Sequence, residues 1–222
     1  MSLTVLITGA SRGIGEAIKL KFISEGFNVL SPTREELDLS SDESIINYLN
    51  TIKIPIDILI NNAGINYLEE LIELDTQSLI STFQVNCFAP FLISKYVIEN
   101  SFLPRGYGSI VNIASIWINY TKKGRAAYSM SKSALHALTK SIAVEYGSNN
   151  IRCNTISPGF VGTELTYANN SQNDITKIVD HVPLKRLANP EEIADLIFYV
   201  SVKNQFINGE NIFIDGGVTK KY

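Results

Sequence analysis

Short apolar runs alternate along the chain with longer segments whose apolar positions recur at helical spacing. The short runs predict buried strands at residues 3–7, 27–30, 56–60, 109–113, 151–156 and 211–215. The longer segments predict helices at about 14–24, 42–52, 76–99, 126–146 and 190–202. This alternation predicts an α/β fold: a doubly wound, mostly parallel sheet of about six to seven strands with helices on both faces. Because no linker, repeat or low-complexity tract interrupts the pattern, we expect residues 1–222 to form a single domain.

One stretch breaks the alternation. Only seven residues separate the second predicted strand from Asp38, and Pro32 interrupts any continuation of that strand. A parallel crossover needs at least about 10 to 12 residues, usually with a helix. We therefore expect one strand–helix unit after the second strand to be shortened or missing, which would leave that flank of the sheet more open.

A glycine-rich turn lies between the first predicted strand and the first predicted helix. It reads Thr-Gly-Ala-Ser-Arg-Gly-Ile-Gly from Thr8 to Gly15. Gly9 permits a tight turn, Gly13 lets the backbone approach a pyrophosphate, and Gly15 lets the helix pack against the strand. The start of the helix then presents free N–H groups and the positive end of its dipole to phosphate. The turn therefore predicts a dinucleotide-binding site.

Tyr128 and Lys132 lie four residues apart in a predicted helix. This spacing places the phenol and the ammonium on one face, one turn apart. A nearby cation favours the phenolate, so we expect Lys132 to lower the pKa of Tyr128 below its usual value of about 10. A tyrosine in this environment can donate or accept a proton near neutral pH.

Several further motifs occur in the same order as in a known family. They are Asn61-Asn-Ala-Gly64, Asn86 in the long helix, Ser115 placed 13 residues before Tyr128, Ser157-Pro-Gly159 followed by Thr163, and Ile214-Asp-Gly-Gly217. Together with the glycine turn they make the chain resemble a short-chain dehydrogenase/reductase of the compact, single-domain branch, which has a Rossmann fold. The resemblance covers nearly the whole chain.

The resemblance implies hydride transfer between a nicotinamide cofactor and a carbonyl or secondary alcohol. In that reading Tyr128 is the general acid or base and Ser115 binds the substrate oxygen. Lys132 lowers the pKa of Tyr128 and holds the nicotinamide ribose, while Asn86 holds a water linked to Lys132.

The resemblance also implies a set of cofactor contacts. They are Gly9, Ser11, Arg12, Gly13, Ile14, Gly15, Arg34, Asp38, Leu39, Asn62, Ala63, Gly64, Tyr128, Lys132, Pro158, Gly159, Val161 and Thr163. Arg12 and Arg34 suit a 2′-phosphate and favour NADP over NAD, although Glu35 and Glu36 follow at once.

The composition narrows the remaining choices. The net charge is −3 and no basic stripe appears, so nucleic acid is not an expected partner. No apolar run reaches the roughly 18 residues of a membrane span, and no signal peptide is recognisable, so we expect a cytoplasmic protein with no membrane partner. Cys87 and Cys153 are expected to be free thiols. With no clustered cysteines and only two histidines, a metal site is not expected.

The substrate is expected to be a small carbonyl or alcohol compound bound near Ser115, with Trp117 beside it. A polar segment, 163–182, closes over substrate in the family and favours a polar ligand. Two alternatives stay open: a 3-oxoacyl-carrier reductase and a non-catalytic NADP(H)-binding sensor. The resemblance further implies a homotetramer or homodimer.

Overall fold

The structure is a computed structural model that describes residues 2–168 and 170–220, and of Leu165 only the backbone. Its strands are β1 Thr4–Ile7, β2 Asn28–Leu30, β3 Ile58–Asn61, β4 Gly108–Ile113, β5 Ile151–Pro158 and β6 Asn211–Ile214. They form one parallel sheet in the order β2-β1-β3-β4-β5-β6. The predicted doubly wound α/β fold is confirmed. The order reverses between β1 and β3, and the crevice at such a reversal is where this class of sheet binds ligands.

The helices lie between the strands. They are α1 Gly13–Ser24, α2 Asp42–Thr51, α3 Thr76–Phe83, α4 Ala89–Val97, α5 Leu103–Arg105, α6 Ala126–Tyr146, α7 Glu164–Ala168, α8 Gln172–His181 and α9 Pro190–Phe198. Two π-helical turns, Gln84–Phe88 and Ile98–Phe102, join α3, α4 and α5 into one helical stretch. This stretch ends at Arg105, beyond the predicted end at residue 99, because Gly106 takes a left-handed conformation that stops the helix.

The expected shortening after the second strand is confirmed. Residues 31–41 contain neither helix nor strand and lead directly to α2, whose N-cap Ser41 accepts a hydrogen bond from the N–H of Ser44. As a result β2 is an edge strand of three residues and is partly exposed, whereas β1 and β3 are fully buried. The loop of residues 31–41, which replaces the missing strand–helix unit, lies near the carboxyl end of β1.

Two hydrophobic clusters cover the faces of the sheet. On one face Phe22 of α1 packs edge-to-face with Phe27 and Phe198, at ring separations of 5.1 and 5.3 Å. On the other face Ile93 and Phe102 pack with residues of α2 and β3. Both clusters anchor the helices, so the strand ends and the loops beyond them are left for a site. Within the described residues, none of the helices has the length and apolar character needed to cross a membrane.

Candidate active site

The turn after β1 has the shape that the glycine pattern predicts. Gly9 and Gly13 adopt φ angles of +67° and +58°, which favour glycine. A Cβ on Gly15 would lie 2.1 Å from the carbonyl oxygen of Gly9, so only glycine fits the helix this close to the turn. Arg12 is the N-cap of α1 and its side chain makes no capping hydrogen bond. The first N–H groups of α1 are therefore available to an anion.

Thr8 and Asn62 join this turn to the loop after β3. The Thr8 hydroxyl accepts hydrogen bonds from the backbone N–H groups of Asn62 and Ala63, at 3.1 and 3.2 Å. In return the Asn62 side chain donates to the carbonyls of Thr8 and Gly9, at 3.1 and 2.9 Å. Asn62 was predicted as a cofactor contact, whereas Thr8 was not singled out. Thr8 could have been identified from the sequence, because it lies at the end of a buried strand and directly before Gly9.

A cleft of about 520 Å³ opens over the turn. Most of the predicted cofactor contacts line it: Gly9, Ser11, Arg12, Gly13, Ile14, Gly15, Arg34, Asp38, Leu39, Asn62, Ala63, Gly64 and Thr163. The loop that replaces the missing strand–helix unit supplies one wall through Pro32, Arg34 and Leu39. Hydrogen bonds from Ser40, with a smaller contribution from the charge of Arg34, lower the pKa of Asp38.

Five of the predicted contacts do not line this cleft: Tyr128 and Lys132 of α6, and Pro158, Gly159 and Val161. Pro158 ends β5, and Gly159 packs so closely on β6 that a Cβ there would lie 2.7 Å from the Cα of Asp215. The side chain of Val161 is buried in the core. Any part that these five residues play in cofactor binding stays a prediction.

Lys132 belongs to helix α6, and its side chain is buried. It is 2% exposed, and its ammonium donates a 2.7 Å hydrogen bond to the carbonyl of Ile113 at the end of β4. Burial lowers the pKa of Lys132 to about 8. A Cβ added to Gly64 would lie 3.1 Å from Nζ, so the glycine that ends the Asn-Asn-Ala-Gly motif separates the cleft from the lysine. The cleft thus ends at Gly64, and the Lys132 ammonium lies directly behind that glycine.

Tyr128 and Ser115 lie beside Lys132, but the pKa of Tyr128 differs from the expectation. Lys132 Nζ is 5.9 Å from the centre of the Tyr128 ring. The pKa of Tyr128 is nevertheless raised, because removing its hydroxyl from water outweighs the opposing effects of Ser115 and of the Arg125 charge. The prediction that Lys132 lowers the pKa of Tyr128 is therefore wrong. The lysine ammonium is held instead at the Ile113 carbonyl.

Asn86 lies in the π-helical turn Gln84–Phe88 and is fully buried. Its amide donates to the Ile65 carbonyl at 2.9 Å and to the Ser131 hydroxyl at 3.0 Å, and its Oδ1 accepts from the Ile65 N–H at 2.8 Å. The side chain therefore holds the loop after β3 against α6. Both amide protons are used in these contacts, and the predicted water-holding role of Asn86 stays a prediction.

Comparison with known proteins agrees with this geometry. A sequence model of a family described as enoyl-(acyl carrier protein) reductase matches residues 31–219. The chain is 34% identical to the 3-oxoacyl-(acyl-carrier-protein) reductase FabG of Buchnera aphidicola subsp. Schizaphis graminum, over 97% of the chain and 96% of that protein. The chain belongs to the short-chain dehydrogenase/reductase family. The gluconate 5-dehydrogenase of Gluconobacter oxydans is 32% identical over 96% of the chain and 90% of its own length.

A solved member of the family shows the same architecture. The structure of a 4-hydroxyisoleucine dehydrogenase complexed with NADH superposes with a TM-score of 0.92 and 34% identity, covering 100% of both chains. The alignment with the Buchnera protein spans 237 positions, more than the 222 residues present here. That excess is consistent with the shortened segment after β2.

This family member also carries a cluster that the sequence did not predict. Trp117 follows Ser115, whose Oγ accepts the N–H of Trp117 at 3.4 Å. Lys122 and Arg125 lie over its ring at 5.5 and 5.4 Å from the centre. The sequence placed Trp117 near the substrate but gave no role to the two cations. The position of Arg125, three residues before Tyr128, could have indicated this cluster.

Proposed function

We propose that this chain is an NAD(P)(H)-dependent oxidoreductase that interconverts a carbonyl compound and a secondary alcohol. One observation carries the proposal. The cleft over the glycine turn ends at Gly64, and directly behind this glycine lies Lys132, with Tyr128 and Ser115 beside it. A cofactor bound along that cleft would bring its reactive ring to a place where a proton donor and a buried cation lie close together.

The residues of the cleft fit a dinucleotide. Two glycines with positive φ and an uncapped helix start form a cradle for the pyrophosphate. The cleft continues from this cradle to Gly64, where a Cβ would crowd both Lys132 and Asn86. The bare glycine backbone therefore keeps open the space next to the lysine.

Each catalytic side chain has a role that its environment supports. Nicotinamide, when bound, supplies the hydride. Tyr128 donates its proton to the carbonyl oxygen during reduction, and its raised pKa keeps the phenol protonated at neutral pH. Ser115 donates a hydrogen bond to the same oxygen and fixes its position. Lys132, with a pKa of about 8, carries a positive charge at pH 7 that stabilises negative charge developing near Tyr128.

For the cofactor, we propose a preference for NADP(H). Leu30 ends β2 and is followed by Ser31, so no acidic residue stands where a carboxylate would bind the ribose hydroxyls of NAD. Arg12 and Arg34 line the cleft nearby and are exposed, so their guanidinium groups are available to a 2′-phosphate. The NADH in the 4-hydroxyisoleucine dehydrogenase structure makes the comparison of both cofactors essential.

A homotetramer or homodimer completes the proposal. The helical stretch from α3 to α4 exposes Ile80, Phe88 and Phe91, and α6 exposes Val144 at 84%. Such apolar side chains on two long helices suit a two-fold contact. Sedimentation velocity should give a dimer or larger species at micromolar concentration, and a monomer would contradict this part.

The proposed activity can be tested against the sensor alternative. Purified protein should oxidise NADPH in the presence of some member of a broad panel of aldehydes, ketones and oxo acids. Tyr128→Phe should lose about 10²-fold or more in rate, the usual size of a general-acid contribution. Tyr146→Phe, at the far end of the same helix, is the matched control and should retain activity. Equal inertness of wild type and Tyr128→Phe, with NADPH bound, would favour a sensor.

The panel should include a 3-oxoacyl thioester, because the relative from Buchnera is named as a reductase of 3-oxoacyl groups on acyl carrier protein. Turnover of that thioester well above all other compounds would make the carrier reductase the specific function. The relatives named for gluconate and 4-hydroxyisoleucine show that substrates differ widely within the family.

A further inference from the structure

Arg125 is a cation that forms no ion pair with any residue that the structure describes, and it lies next to the proposed catalytic tyrosine. It is the N-cap of α6, and its charge lowers the pKa of Tyr128, which places the two groups close together. The guanidinium is half-buried, and its Nε is enclosed and donates no hydrogen bond to any group of residues 2–168 and 170–220. Withdrawing part of a guanidinium from water without giving it an acceptor is unfavourable, so a role for its charge is expected.

A second cation lies on the same aromatic ring. Lys122 and Arg125 both lie over Trp117, at 5.5 and 5.4 Å from its centre. Partial burial and, to a smaller extent, the charge of Arg125 lower the pKa of Lys122. The neighbouring Lys123 differs, because it forms an ion pair with Glu70. Thus two like charges lie over one ring close to the start of α6 and form no ion pair among the residues that the structure describes, while a third cation of the same loop is neutralised.

Cation–π contact alone leaves part of this arrangement unexplained. The ring face interacts with the positive charge, but the N–H donors of the guanidinium lie in its own plane and need acceptors. Glu69 is the competing partner within the chain, since its backbone passes Gly124. Its Oε1 accepts from Ser78 and its Oε2 is enclosed, and within the described residues neither oxygen forms an ion pair with Arg125.

We propose that Arg125, with Lys122 beside it, binds a carboxylate of the substrate while Tyr128 and Ser115 hold the oxygen of the reacting carbonyl. The substrate class is then a small oxo acid, or a hydroxy acid in the reverse direction. A guanidinium matches a carboxylate with two parallel hydrogen bonds, which fixes the orientation of the molecule as well as its charge. This inference rests on the proposed oxidoreductase function and adds the substrate class to it.

The first test compares acids with their neutral esters. The probes are pyruvate, acetoacetate and levulinate, which place the carbonyl at three distances from the carboxylate, and the methyl ester of each. Wild type should favour at least one acid over its ester by about tenfold or more in kcat/KM. Arg125→Gln should lower the ratio of kcat/KM for that acid to kcat/KM for its ester about 10- to 100-fold, mainly through KM for the acid. These changes correspond to a lost charge-assisted hydrogen-bonded pair.

Ester turnover by Arg125→Gln shows that the variant is folded. Lys123→Gln removes the same charge from the same loop and should leave both probes unchanged, because Lys123 already pairs with Glu70. An acid-to-ester ratio that is the same in wild type and Arg125→Gln would overturn the inference and leave the oxidoreductase function intact.

A second readout does not depend on turnover. Trp117 is the only tryptophan in the chain, so its fluorescence reports directly on the two cations over its ring. Titration with acetoacetate or levulinate should give a saturable change that is absent with the methyl esters and in Arg125→Gln. If none of these probes is turned over, this titration still decides the carboxylate site: no saturable change in wild type would overturn it, whereas the oxidoreductase function is decided by the broader carbonyl panel.

Discussion

Replacing Lys132 with methionine should expose the cost of burying the catalytic cation. Lys132 is 2% exposed and has no carboxylate partner among the described residues. Methionine fills a similar volume without a charge. The expected result is a protein without activity whose stability depends differently on pH from that of the wild type.

The size of the effect follows from the pKa of Lys132. Burial lowers it from 10.5 to about 8, and a tenfold change in proton affinity is worth about 1.4 kcal/mol, so the charged form costs roughly 3 kcal/mol. Lys132→Met removes this cost, but it also removes the hydrogen bond to the Ile113 carbonyl, which destabilises the variant by about 1 to 3 kcal/mol. At pH 7 the two proteins therefore differ little in stability, and the pH dependence is the sharper measure.

The direction of that dependence is set by proton binding. Between pH 8 and 10.5 the unfolded chain keeps a proton on Lys132 that the folded chain has lost, so the wild type gains stability as pH rises through this range. Relative to Lys132→Met, the wild type should gain about 2 kcal/mol between pH 7.5 and 10. Urea unfolding of both cofactor-free proteins at several pH values measures this difference.

The matched control is Lys140→Met, which removes an exposed lysine from the same helix. Its stability should run parallel to that of the wild type. Parallel curves for Lys132→Met as well would refute the reasoning, because they would mean that the folded protein does not depress the pKa of Lys132.

Three further predictions follow from individual contacts. Gly64→Ala would place a methyl group 3.1 Å from Lys132 Nζ and 3.2 Å from Asn86 Oδ1, so kcat/KM should fall at least about tenfold in a steady-state assay, while wild-type activity would contradict the crowding. Arg34→Ser should reduce the ratio of kcat/KM for NADPH to that for NADH by about 10- to 100-fold, through loss of a charge-assisted contact, and an unchanged ratio would remove Arg34 from the 2′-phosphate site. Phe22→Ala should cost about 3 to 5 kcal/mol in urea unfolding, since Phe22 is fully buried and contacts two other phenylalanines, and a loss below about 1 kcal/mol would mean that the core there is not tightly packed.

The sheet could be predicted because its strands are buried on both faces. Such strands appear in the sequence as continuous apolar runs, and the motif residues follow them at the carboxyl ends, where a parallel sheet brings them together. Counting residues after the second strand was enough to predict the missing unit, since chain length limits what a crossover can contain. Even so, β5 runs two residues beyond its predicted end, to Pro158, and β6 ends one residue early, at Ile214. Asp215 leaves the sheet because its carboxylate accepts the N–H groups of Gly217 and Thr219.

Other features depend on contacts between distant parts of the chain. Asn86 lies in a π-helical turn and hydrogen-bonds to Ile65 and Ser131, which are distant from it in the sequence. No local sequence pattern reveals these contacts. The same is true of the pKa of Tyr128, since the i,i+4 spacing indicates a nearby lysine but not the burial that outweighs it. By contrast, helix α8 could have been found locally: Ser171 and Asp174 form a capping box at its start, and this signal was overlooked in a segment taken only as polar.

The most direct test of the central claim is transfer of deuterium from labelled cofactor. NADPH carrying deuterium at both hydrogen positions of the reactive ring carbon should be incubated with a carbonyl compound that the enzyme reduces, and the alcohol product analysed by mass spectrometry. We predict deuterium on the carbinol carbon with wild type, and a rate about 10²- to 10⁴-fold lower with Tyr128→Phe although that variant binds NADPH with similar affinity. Equal rates for the two proteins, or product without deuterium, would contradict hydride transfer at Tyr128.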